Sequence, residues 1–408
     1  MKHVIIGTGA AGITAAKTIR SLREHDEIVM ISADNSVYSR CMLHQFIGGS
    51  RSVQGLSFIP DGFFKDNNIR VCAGKTVTGI DTAKKTVTFD NGTESYDKLL
   101  IAAGSVSFIP PIDGLQNVKN VYGLHDLTDA TAIREKASAA DNVVIVGAGL
   151  VGLDAAYALL ELGKKPVIVD KVDFIISANL DVTAAAVYQS EFEQAGASFR
   201  LGHTVGDVQA DANGAVSAVV LDNSEKLPCD LLIVAVGVRP NTEFVKNSGI
   251  DVEHGITVNK YLTTSDTDVF AAGDVTGLSE SWGNALTQGE VAAMNMCGVV
   301  TEYDGPTVPQ NTVSFFRIPT LSVGQTMPSE GDEVYCCESR GAYQKVIVRD
   351  GIPVGVILQG SISHSGFWQH LINNKINVYN IPKPIQKVSF ADFYGVKPNG
   401  EFEWVYAK

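Results

Sequence analysis

Near its N-terminus the chain reads Lys2-His3-Val4-Ile5-Ile6-Gly7-Thr8-Gly9-Ala10-Ala11-Gly12-Ile13. This short apolar run ends in the pattern G-x-G-x-x-G and passes into an alanine-rich segment with helical periodicity. In such a pattern the first glycine permits a tight turn, the second lets a pyrophosphate approach the backbone, and the third lets the helix pack closely on the strand. The anion then lies at the helix N-terminus. The segment therefore predicts a strand, a turn and a helix that runs to about Leu22.

The same pattern recurs at Val143-Val144-Ile145-Val146-Gly147-Ala148-Gly149-Leu150-Val151-Gly152, with a helix predicted over residues 150–162. The second strand of this repeat ends at Asp170, about 20 residues beyond the glycines, as the pattern requires. A carboxylate there hydrogen-bonds a ribose 2'-hydroxyl and repels a 2'-phosphate, which favours NADH over NADPH, whereas the neighbouring Lys171 argues in the other direction. Two such units in one chain predict two dinucleotides that exchange electrons.

The first repeat departs from the pattern where its second strand ends. An acidic residue usually stands there and bonds the adenosine ribose, but this chain has Ser32, with Asp34 two residues later. The ribose contact is therefore left open. Two later buried strands end on small residues, at Ala103-Gly104 and at Ala272-Gly273, and the second has the acidic Asp274 at its tip. Small residues there let the backbone pass close to a bound cofactor.

Composition bounds the class of protein. At 408 residues the chain is long enough for two or three domains. A net charge of -13 and a pI of about 5.1 disfavour nucleic acid and anionic membrane surfaces as partners, since both require a basic face. No apolar run approaches the roughly 18 residues that span a bilayer, and no convincing signal-peptide cleavage site precedes the first glycine pattern. We expect a cytoplasmic protein.

The six cysteines do not form a recognisable disulfide or metal-binding pattern. They are Cys41, Cys72, Cys229, Cys297, Cys336 and Cys337. No C-x-x-C occurs, so zinc ribbons and thioredoxin-like dithiols have no support, and no metal site is predicted. The irregular spacing disfavours a set of structural disulfides.

Five motifs in a fixed order resemble the pyridine nucleotide-disulfide oxidoreductases, over the whole chain. They are the two glycine patterns, the strand Leu100-Ile101-Ala102-Ala103-Gly104, the segment Val236-Gly237-Val238-Arg239-Pro240-Asn241, and Ala271-Ala272-Gly273-Asp274. The resemblance implies that the first unit binds FAD and the central unit binds NAD(H). Asp274 would then bond the ribityl chain, and the helix predicted over residues 282–296 would point its positive end at the isoalloxazine ring.

The resemblance also implies a fold class. We expect an α/β protein with two Rossmann-like dinucleotide-binding domains and a C-terminal α+β domain. The predicted boundaries are residues 1–110 and 231–308 for a discontinuous FAD domain, 111–230 for the NAD(H) domain, and 309–408 for the last domain. Within the last domain, strands are predicted at residues 334–335, 343–349 and 354–359, and a short helix at about 367–373.

Subfamily signals favour an electron-transfer reductase. The segment Tyr38-Ser39-Arg40 and the C-terminal run at residues 343–351 look like NADH:rubredoxin reductases and the flavin region of NADH-dependent nitrite reductases. Glutathione-reductase-like members carry C-x-x-x-x-C near the first unit, whereas here the residue five after Cys41 is Phe46, which argues against a conventional disulfide reductase. The resemblance implies electron flow from NADH through FAD to a small rubredoxin- or ferredoxin-like iron-sulfur protein, a direction that could reverse.

Two alternatives stay open. Cys41 falls where coenzyme A-disulfide reductases and NADH oxidases hold a single redox cysteine, which suggests a thiol or disulfide reductase. Ala10 stands where the related peroxidases carry a histidine, which disfavours peroxide chemistry. The aromatic tail around Phe390-Ala391-Asp392-Phe393-Tyr394 suggests instead a flavin electron-entry subunit of a larger complex. A homodimer is not decided by the sequence.

Three residues are candidates for catalysis. Cys41 would act as a thiolate facing the flavin, although a small buried residue is the plainer interpretation. His44 could donate a proton or simply pack, and Asp154 lies where the family often has a glutamate near the nicotinamide. The candidate cofactor-binding residues are Gly7, Gly9, Ala10, Ala11, Gly12, Ser32, Ala33, Arg40, Ala103, Gly104, Gly147, Gly149, Leu150, Val151, Asp170, Gly237, Gly273, Asp274 and Gln288.

Overall fold

The computed structural model describes residues 1–116, 118–379 and 381–405. The helices are α1 (Ala10–Leu22), α2 (Leu43–Ile47), α3 (Phe63–Asp66), α4 (Leu127–Ala139), α5 (Leu150–Glu161), α6 (Val182–Ala195), α7 (Trp282–Met296) and α8 (Ser365–Asn373). Short 3-10 helices occur at Arg40–Met42, Gln54–Leu56, Glu243–Val245, Asp274–Thr276, Ile385–Lys387 and Phe390–Asp392.

The strands divide among several sheets. They are β1 (Lys2–Ile6), β2 (Glu27–Ser32), β3 (Ile69–Ala73), β4 (Val77–Asp81), β5 (Thr86–Phe89), β6 (Gly92–Ser95), β7 (Lys98–Ile101), β8 (Ser105–Ser107), β9 (Val121–Tyr122), β10 (Val143–Val146), β11 (Val167–Asp170), β12 (Ser198–Leu201), β13 (Val205–Ala210), β14 (Val216–Leu221), β15 (Lys226–Pro228), β16 (Leu231–Val234), β17 (Val238–Pro240), β18 (Val269–Ala271), β19 (Gln310–Phe315), β20 (Ile318–Gly324), β21 (Glu333–Ser339), β22 (Ala342–Arg349), β23 (Ile352–Gln359), β24 (Tyr394–Val396) and β25 (Phe402–Trp404).

The first compact unit comprises Met1–Pro111, Val121–Ala139 and Val234–Pro306. Its parallel sheet has the order β18-β7-β1-β2-β3. The apolar run of β1 is buried on both faces, as a central parallel strand requires. Ile5 belongs to the core that α1 and α7 cover, and Val4 belongs to the core on the other face, which the antiparallel sheet β4-β5-β6 closes.

The second compact unit comprises Ile112–Asn120, Ala140–Ile233 and Thr307–Lys408. One sheet has β12, β11, β10 and β16 as successive neighbours, and the antiparallel sheet β19-β20-β23-β22-β21 is packed by α8 through Trp368 and Leu371. Inside this unit the hydroxyl of Tyr188 on α6 hydrogen-bonds the carbonyl oxygen of Ile318 at 2.5 Å and Oγ1 of Thr320 at 2.7 Å. The central and C-terminal segments therefore share one packed unit.

The predicted fold class is confirmed. The helix predicted over residues 282–296 is α7 at the same bounds, and the hairpin predicted at Asp350-Gly351 joins β22 to β23. The helices α4 and α6 and the strands β19 and β20 were outside the sequence prediction. The division into three domains stays a prediction. Within the described part of the chain, no helix is both long and apolar enough to cross a membrane.

Candidate functional site

The first glycine pattern forms one wall of a cavity of about 330 Å³. Gly7 has a φ of +103°, and a Cβ added there would overlap the carbonyl oxygen of Ala102, directly after the neighbouring strand β7. A Cβ at Gly12 would overlap the carbonyl oxygen of Gly7, so α1 can begin this close to β1 only with glycine. A Cβ at Gly9 would meet no atom within 4 Å, because Gly9 faces the cavity.

The lining of this cavity fits an adenine dinucleotide. It combines the open backbone of the turn with hydroxyl, carboxylate and cationic side chains, as a pyrophosphate flanked by two sugar alcohols requires. Of the predicted site residues it contains Gly7, Gly9, Ser32, Ala33, Arg40, Ala103 and Gly104. The sequence analysis assigned FAD to this unit, and these residues would hold it.

The end of β2 carries the polar groups that replace the usual ribose-binding acid. Ser32 is buried, and its hydroxyl lies 2.9 Å from that of Thr8 in the glycine turn. Asp34 accepts hydrogen bonds from the hydroxyl of Tyr38 at 2.8 Å and from Arg40 at 2.9 Å. Arg40 also donates to the carbonyl oxygen of His125 at 2.9 Å. Both Ser32 and Asp34 line the cavity, so the ribose contact can come from either.

The turn after β18 is fixed by hydrogen bonds with two side chains outside it. The hydroxyl of Ser105 donates to Asp274 at 2.9 Å, and the backbone N–H of Gly273 donates to the side-chain oxygen of Gln288 at 2.8 Å. Gln288 has no exposed surface, and its amide nitrogen donates to the hydroxyl of Tyr303 at 3.3 Å. Gln288 therefore fixes the backbone of Gly273, and the cofactor roles predicted for Gly273, Asp274 and Gln288 stay predictions.

Ala10 and Ala11 lie under α7 rather than in the cavity lining. Both are buried, and a Cβ at Gly289 of α7 would overlap the backbone of Ala11. Gly237 has a φ of +122°, and its carbonyl oxygen accepts the N–H of Phe108 at 2.9 Å. The cofactor contacts predicted for these three residues stay predictions.

Sequence reasoning missed His125, which lines the same cavity. Its Nε2 lies 3.5 Å from the hydroxyl oxygen of Ser105, and its backbone N–H donates to Asp129 at 3.1 Å. Burial, and then the charge of Arg40, lower the pKa of His125 below its usual range. The sequence offers one signal for it, a polar cluster at the start of α4 that reads Leu124-His125-Asp126-Leu127-Thr128-Asp129. The residues of this cluster do not have the spacing of a recognised binding motif.

Cys41 lies in the 3-10 helix Arg40–Met42, directly before α2. It is exposed, so its interpretation as a small buried residue is wrong. His44 hydrogen-bonds the backbone of Cys41, and burial followed by the charge of Arg51 lowers the pKa of His44. Phe46 is buried, and Arg134 of α4 lies over its ring at 4.9 Å. The redox roles of Cys41 and His44 stay predictions.

The second glycine pattern repeats this geometry in the other unit. A Cβ at Gly152 would overlap the carbonyl oxygen of Gly147, and a Cβ at Gly149 would meet nothing within 4 Å. Asp170 accepts the backbone N–H of Ala148 at 2.6 Å, so its carboxylate also fixes the turn. Leu150 and Val151 begin α5, where their N–H groups are available to an anion. This arrangement fits NAD(H), and the individual contacts stay predictions.

Asp154 lies one turn into α5 and is partly buried. Desolvation raises the pKa of its carboxyl group to about 8, so it is mostly protonated at neutral pH. A neutral carboxylic acid can donate a hydrogen bond, which an ionised carboxylate cannot. Its catalytic role stays a prediction.

Comparison with known proteins finds related oxidoreductases. The family model of pyridine nucleotide-disulphide oxidoreductases matches residues 1–289. Nitrite reductase [NAD(P)H] of Bacillus subtilis (strain 168) is 29% identical over 93% of this chain and 48% of that protein, so the chain spans about half of its length. The NADH-dependent phenylglyoxylate dehydrogenase subunit epsilon of Aromatoleum evansii is 31% identical over 91% of each chain. Rubredoxin-NAD(+) reductase of Pseudomonas putida is 28% identical over 76% of this chain and 83% of that protein.

Solved structures agree on the fold. A NAD-dependent persulfide reductase from A. fulgidus has a TM-score of 0.83 at 25% identity, covering 92% of this chain and 77% of that one. The water-forming NADH oxidase of Lactobacillus brevis, solved with NADH, has a TM-score of 0.81 at 23% identity, covering 92% and 91%. The second similarity supports the fold alone.

Proposed function

The chain belongs to the pyridine nucleotide-disulphide oxidoreductase family, and from that membership we propose that it passes electrons from NADH through FAD to a small iron-sulfur protein of the rubredoxin or ferredoxin type. The chain is an FAD-dependent NAD(P)H oxidoreductase. When bound, the cofactors supply the redox chemistry, since NADH gives a hydride and FAD takes up two electrons and releases them singly. The protein supplies binding, orientation and electrostatics.

In the first unit the described residues divide this work among them. The open backbone at Gly9 leaves room for the pyrophosphate, and the start of α1 places N–H groups towards it. Asp34 and Arg40 hold each other at the cavity wall. Ser105 keeps Asp274 in one orientation by donating to it. An orientation fixed before binding lowers the entropy lost on binding.

In the second unit the nicotinamide cofactor would use the start of α5. Gly149 leaves the same open space as Gly9, and Asp170 is fixed by its bond from Ala148. Asp154, on the next turn of α5, would present a protonated carboxyl group at neutral pH. A neutral group there avoids repelling the phosphates of NADH.

The observation that carries the choice of acceptor is at position 46. A dithiol reductase of this family would need a second cysteine there to relay electrons to a disulfide, but the residue is Phe46, buried in α2. Without a thiol pair no intramolecular disulfide can relay the electrons, which favours direct delivery from the reduced flavin. The relative named rubredoxin-NAD(+) reductase, of which the chain covers 83%, supports an iron-sulfur carrier as the recipient.

The test is anaerobic NADH oxidation with purified carriers. We expect rubredoxin or a [2Fe-2S] ferredoxin to accelerate turnover at least tenfold over the protein alone, and Cys41→Ser to retain most of that rate. Cys336→Ser, at another exposed position, is the matched control. If neither carrier accelerates NADH oxidation, the proposed acceptor is wrong.

A second candidate, a single-cysteine thiol, disulfide or oxygen reductase, is favoured by the exposure of Cys41. A thiol at the surface can meet a substrate, and the likeness to a persulfide reductase at 25% identity is consistent with such a role. Anaerobic NADH titration separates the two candidates. Full reduction by one NADH per flavin, with no thiolate charge-transfer band, supports electron transfer to a carrier. Reduction that needs about two NADH per flavin and produces such a band would favour the thiol reductase instead.

A third candidate is an electron-entry subunit. It is favoured by the relative named a dehydrogenase subunit, which aligns over 91% of both chains. The tail offers an exposed aromatic surface, where Phe390 contacts Tyr394 and Phe402. Replacement of Phe390, Tyr394 and Phe402 by serine should then abolish co-purification of a partner while leaving NADH-dependent flavin reduction intact. Co-purification that is unchanged in this variant would contradict the candidate.

A further inference from the structure

We propose that His125 is a titrating contact of the FAD site, so that FAD binding takes up a proton and the protein holds FAD less tightly as the pH rises. The inference rests on the assignment of FAD to the cavity of the first unit. It concerns the hold on the cofactor and not the choice of electron acceptor.

The position of His125 in the cavity is the first step. It lines the same space as Gly9 of the glycine turn and Arg40, between the groups at the end of β2 and the Ser105–Asp274 pair. Its backbone is fixed on two sides, because its carbonyl oxygen accepts from Arg40 and its N–H donates to Asp129. The backbone that carries the imidazole is therefore held in place before any ligand arrives.

Ser105 is the residue that the imidazole meets on this side of the cavity. Its hydroxyl donates to Asp274 at 2.9 Å, and the same hydroxyl oxygen lies 3.5 Å from Nε2 of His125. A hydrogen bond of the ring to the backbone of Ser105 favours the protonated form of His125 and raises its pKa. The surroundings of the ring can therefore accept a hydrogen from it.

The charges that face His125 come from several elements. Arg40, in the 3-10 helix before α2, disfavours its protonation, whereas Asp274 after β18 and Asp126 before α4 favour it. Asp129 of α4 is itself raised in pKa by burial and by Asp126. Burial dominates this balance and lowers the pKa of His125, so the imidazole is neutral at pH 7 in the absence of a ligand.

FAD would reverse the balance. Its two phosphates bring negative charge into a cavity that is also lined by the cationic side chains of Arg40 and Lys75, and a cation beside an anion is stabilised. The pKa of His125 would rise on binding, and a proton would be taken up in the range between its two values. By linkage, affinity is then highest below the lower pKa and falls as the pH rises through the higher one.

The direct experiment is FAD binding by the full-length apoprotein between pH 6 and 8.5. We expect the dissociation constant to rise about tenfold across this range, since a pKa shift of one unit corresponds to a tenfold change in affinity. His125→Gln keeps a hydrogen-bond donor and cannot titrate, so its dissociation constant should be flat. His125→Arg carries a permanent charge and should be both flat and tight. His203→Gln, which removes a half-buried histidine of the other unit, should behave as the parent protein.

Calorimetry of FAD binding in two buffers of different ionisation enthalpy counts the protons directly and needs no variant. Fractional proton uptake near pH 7 supports the inference. No uptake, or an unchanged pH dependence in a folded His125→Gln protein, overturns it. These measurements use neither NADH nor a carrier protein. Failure of the proposed electron route would therefore leave the result on His125 unaffected, and failure of the proposal on His125 would leave the electron route unaffected.

Discussion

The side-chain oxygen of Gln288 accepts the backbone N–H of Gly273 at 2.8 Å. Gln288 lies in the second turn of α7 and is completely buried, whereas Gly273 opens the turn that presents Asp274. The same oxygen lies 3.3 Å from the hydroxyl of Thr276. One amide on a rigid helix thus fixes both ends of the turn.

Replacing Gln288 with leucine should loosen this turn. Gly273 would lose its acceptor, and an unsatisfied buried donor costs about 1–3 kcal/mol. We expect lower thermal stability together with at least tenfold weaker FAD binding, measured by flavin release on dilution. Gln288→Glu retains the acceptor and should recover most of the affinity. Gln189→Leu, which removes a surface hydrogen bond to Glu193, is the control, and equal FAD loss in it would contradict the assignment.

Much of the fold follows from local pattern in the sequence. The strand, turn and helix around Gly7 and Gly147 can be recognised without the structure, because at Gly12 and Gly152 a Cβ would overlap the carbonyl oxygen of the first glycine of each pattern. The helix α7 could be predicted at both ends because its apolar periodicity is regular. The strands β19 and β20 could not, since β19 is polar and mostly exposed, and β20 places Thr320 and Ser322 among its buried residues, so that neither shows a clear apolar pattern.

The site was less accessible to sequence reasoning. His125 lies twenty residues from Ser105 along the chain, and only the tertiary fold brings Nε2 to the hydroxyl. The same holds for Gln288, whose position in a helix gave no sign that it would act through Gly273. Motifs specify backbone shape close in sequence, whereas these contacts depend on packing between distant segments.

The two glycine turns allow a paired prediction that separates the cofactors. A methyl group at Gly9 or at Gly149 meets no protein atom within 4 Å, and both residues have ordinary φ values of -74° and -78°. Gly9→Ala should therefore fold and bind FAD at least tenfold more weakly. Gly149→Ala should keep its flavin and show a similar rise in KM for NADH. Flavin absorbance and NADH kinetics measure the two effects.

Gly12→Ala is the contrasting variant. Its methyl group would overlap the carbonyl oxygen of Gly7, and such overpacking costs about 1–3 kcal/mol. It should lower the melting temperature, which Gly9→Ala should leave within about two degrees of the parent value. If Gly9→Ala retained full FAD affinity, the first cavity would not be the FAD site.

Asp170 should set the preference for NADH. Its carboxylate is held by the N–H of Ala148 at 2.6 Å and by that of Val172 at 3.3 Å, so it is fixed at the end of β11. Asp170→Ala should raise KM for NADH and reduce the NADH-to-NADPH ratio of kcat/KM by at least tenfold, because the repulsion of a 2'-phosphate is lost. Asp170→Asn can still accept one N–H, so its NADH-to-NADPH ratio of kcat/KM should lie between those of the parent protein and Asp170→Ala.

The control for this change is the neighbouring Asp173→Ala. It removes a charge from the same loop without touching the glycine turn, so it should leave the cofactor ratio within twofold of the parent protein. An equal loss of NADH preference in both variants would mean that the general charge of the loop, and not Asp170, decides between the cofactors.

Asp154 gives a pH-dependent prediction. Its pKa is about 8 in the folded chain, against about 4 in an unfolded one. Between these values only the folded state holds the proton, so this residue's contribution to stability is greatest below about pH 4 and declines until about pH 8. Asp154→Asn lacks the proton equilibrium. The melting temperature of Asp154→Asn, relative to that of the parent protein, should therefore increase as the pH rises from 5 to 9. Glu330→Gln, at an exposed position, should show no such trend.

The same variant tests whether Asp154 takes part in the reaction. The pH profile of kcat/KM for NADH reports groups of the free enzyme. If the protonated carboxyl group faces the nicotinamide cofactor, kcat/KM of the parent protein should fall above about pH 8, since the ionised form would repel the phosphates of NADH. Asp154→Asn should keep most of the activity at pH 7 and lose the decline. A decline that persists unchanged in Asp154→Asn, together with the expected shift in stability, would make Asp154 a buried structural acid without a role in catalysis.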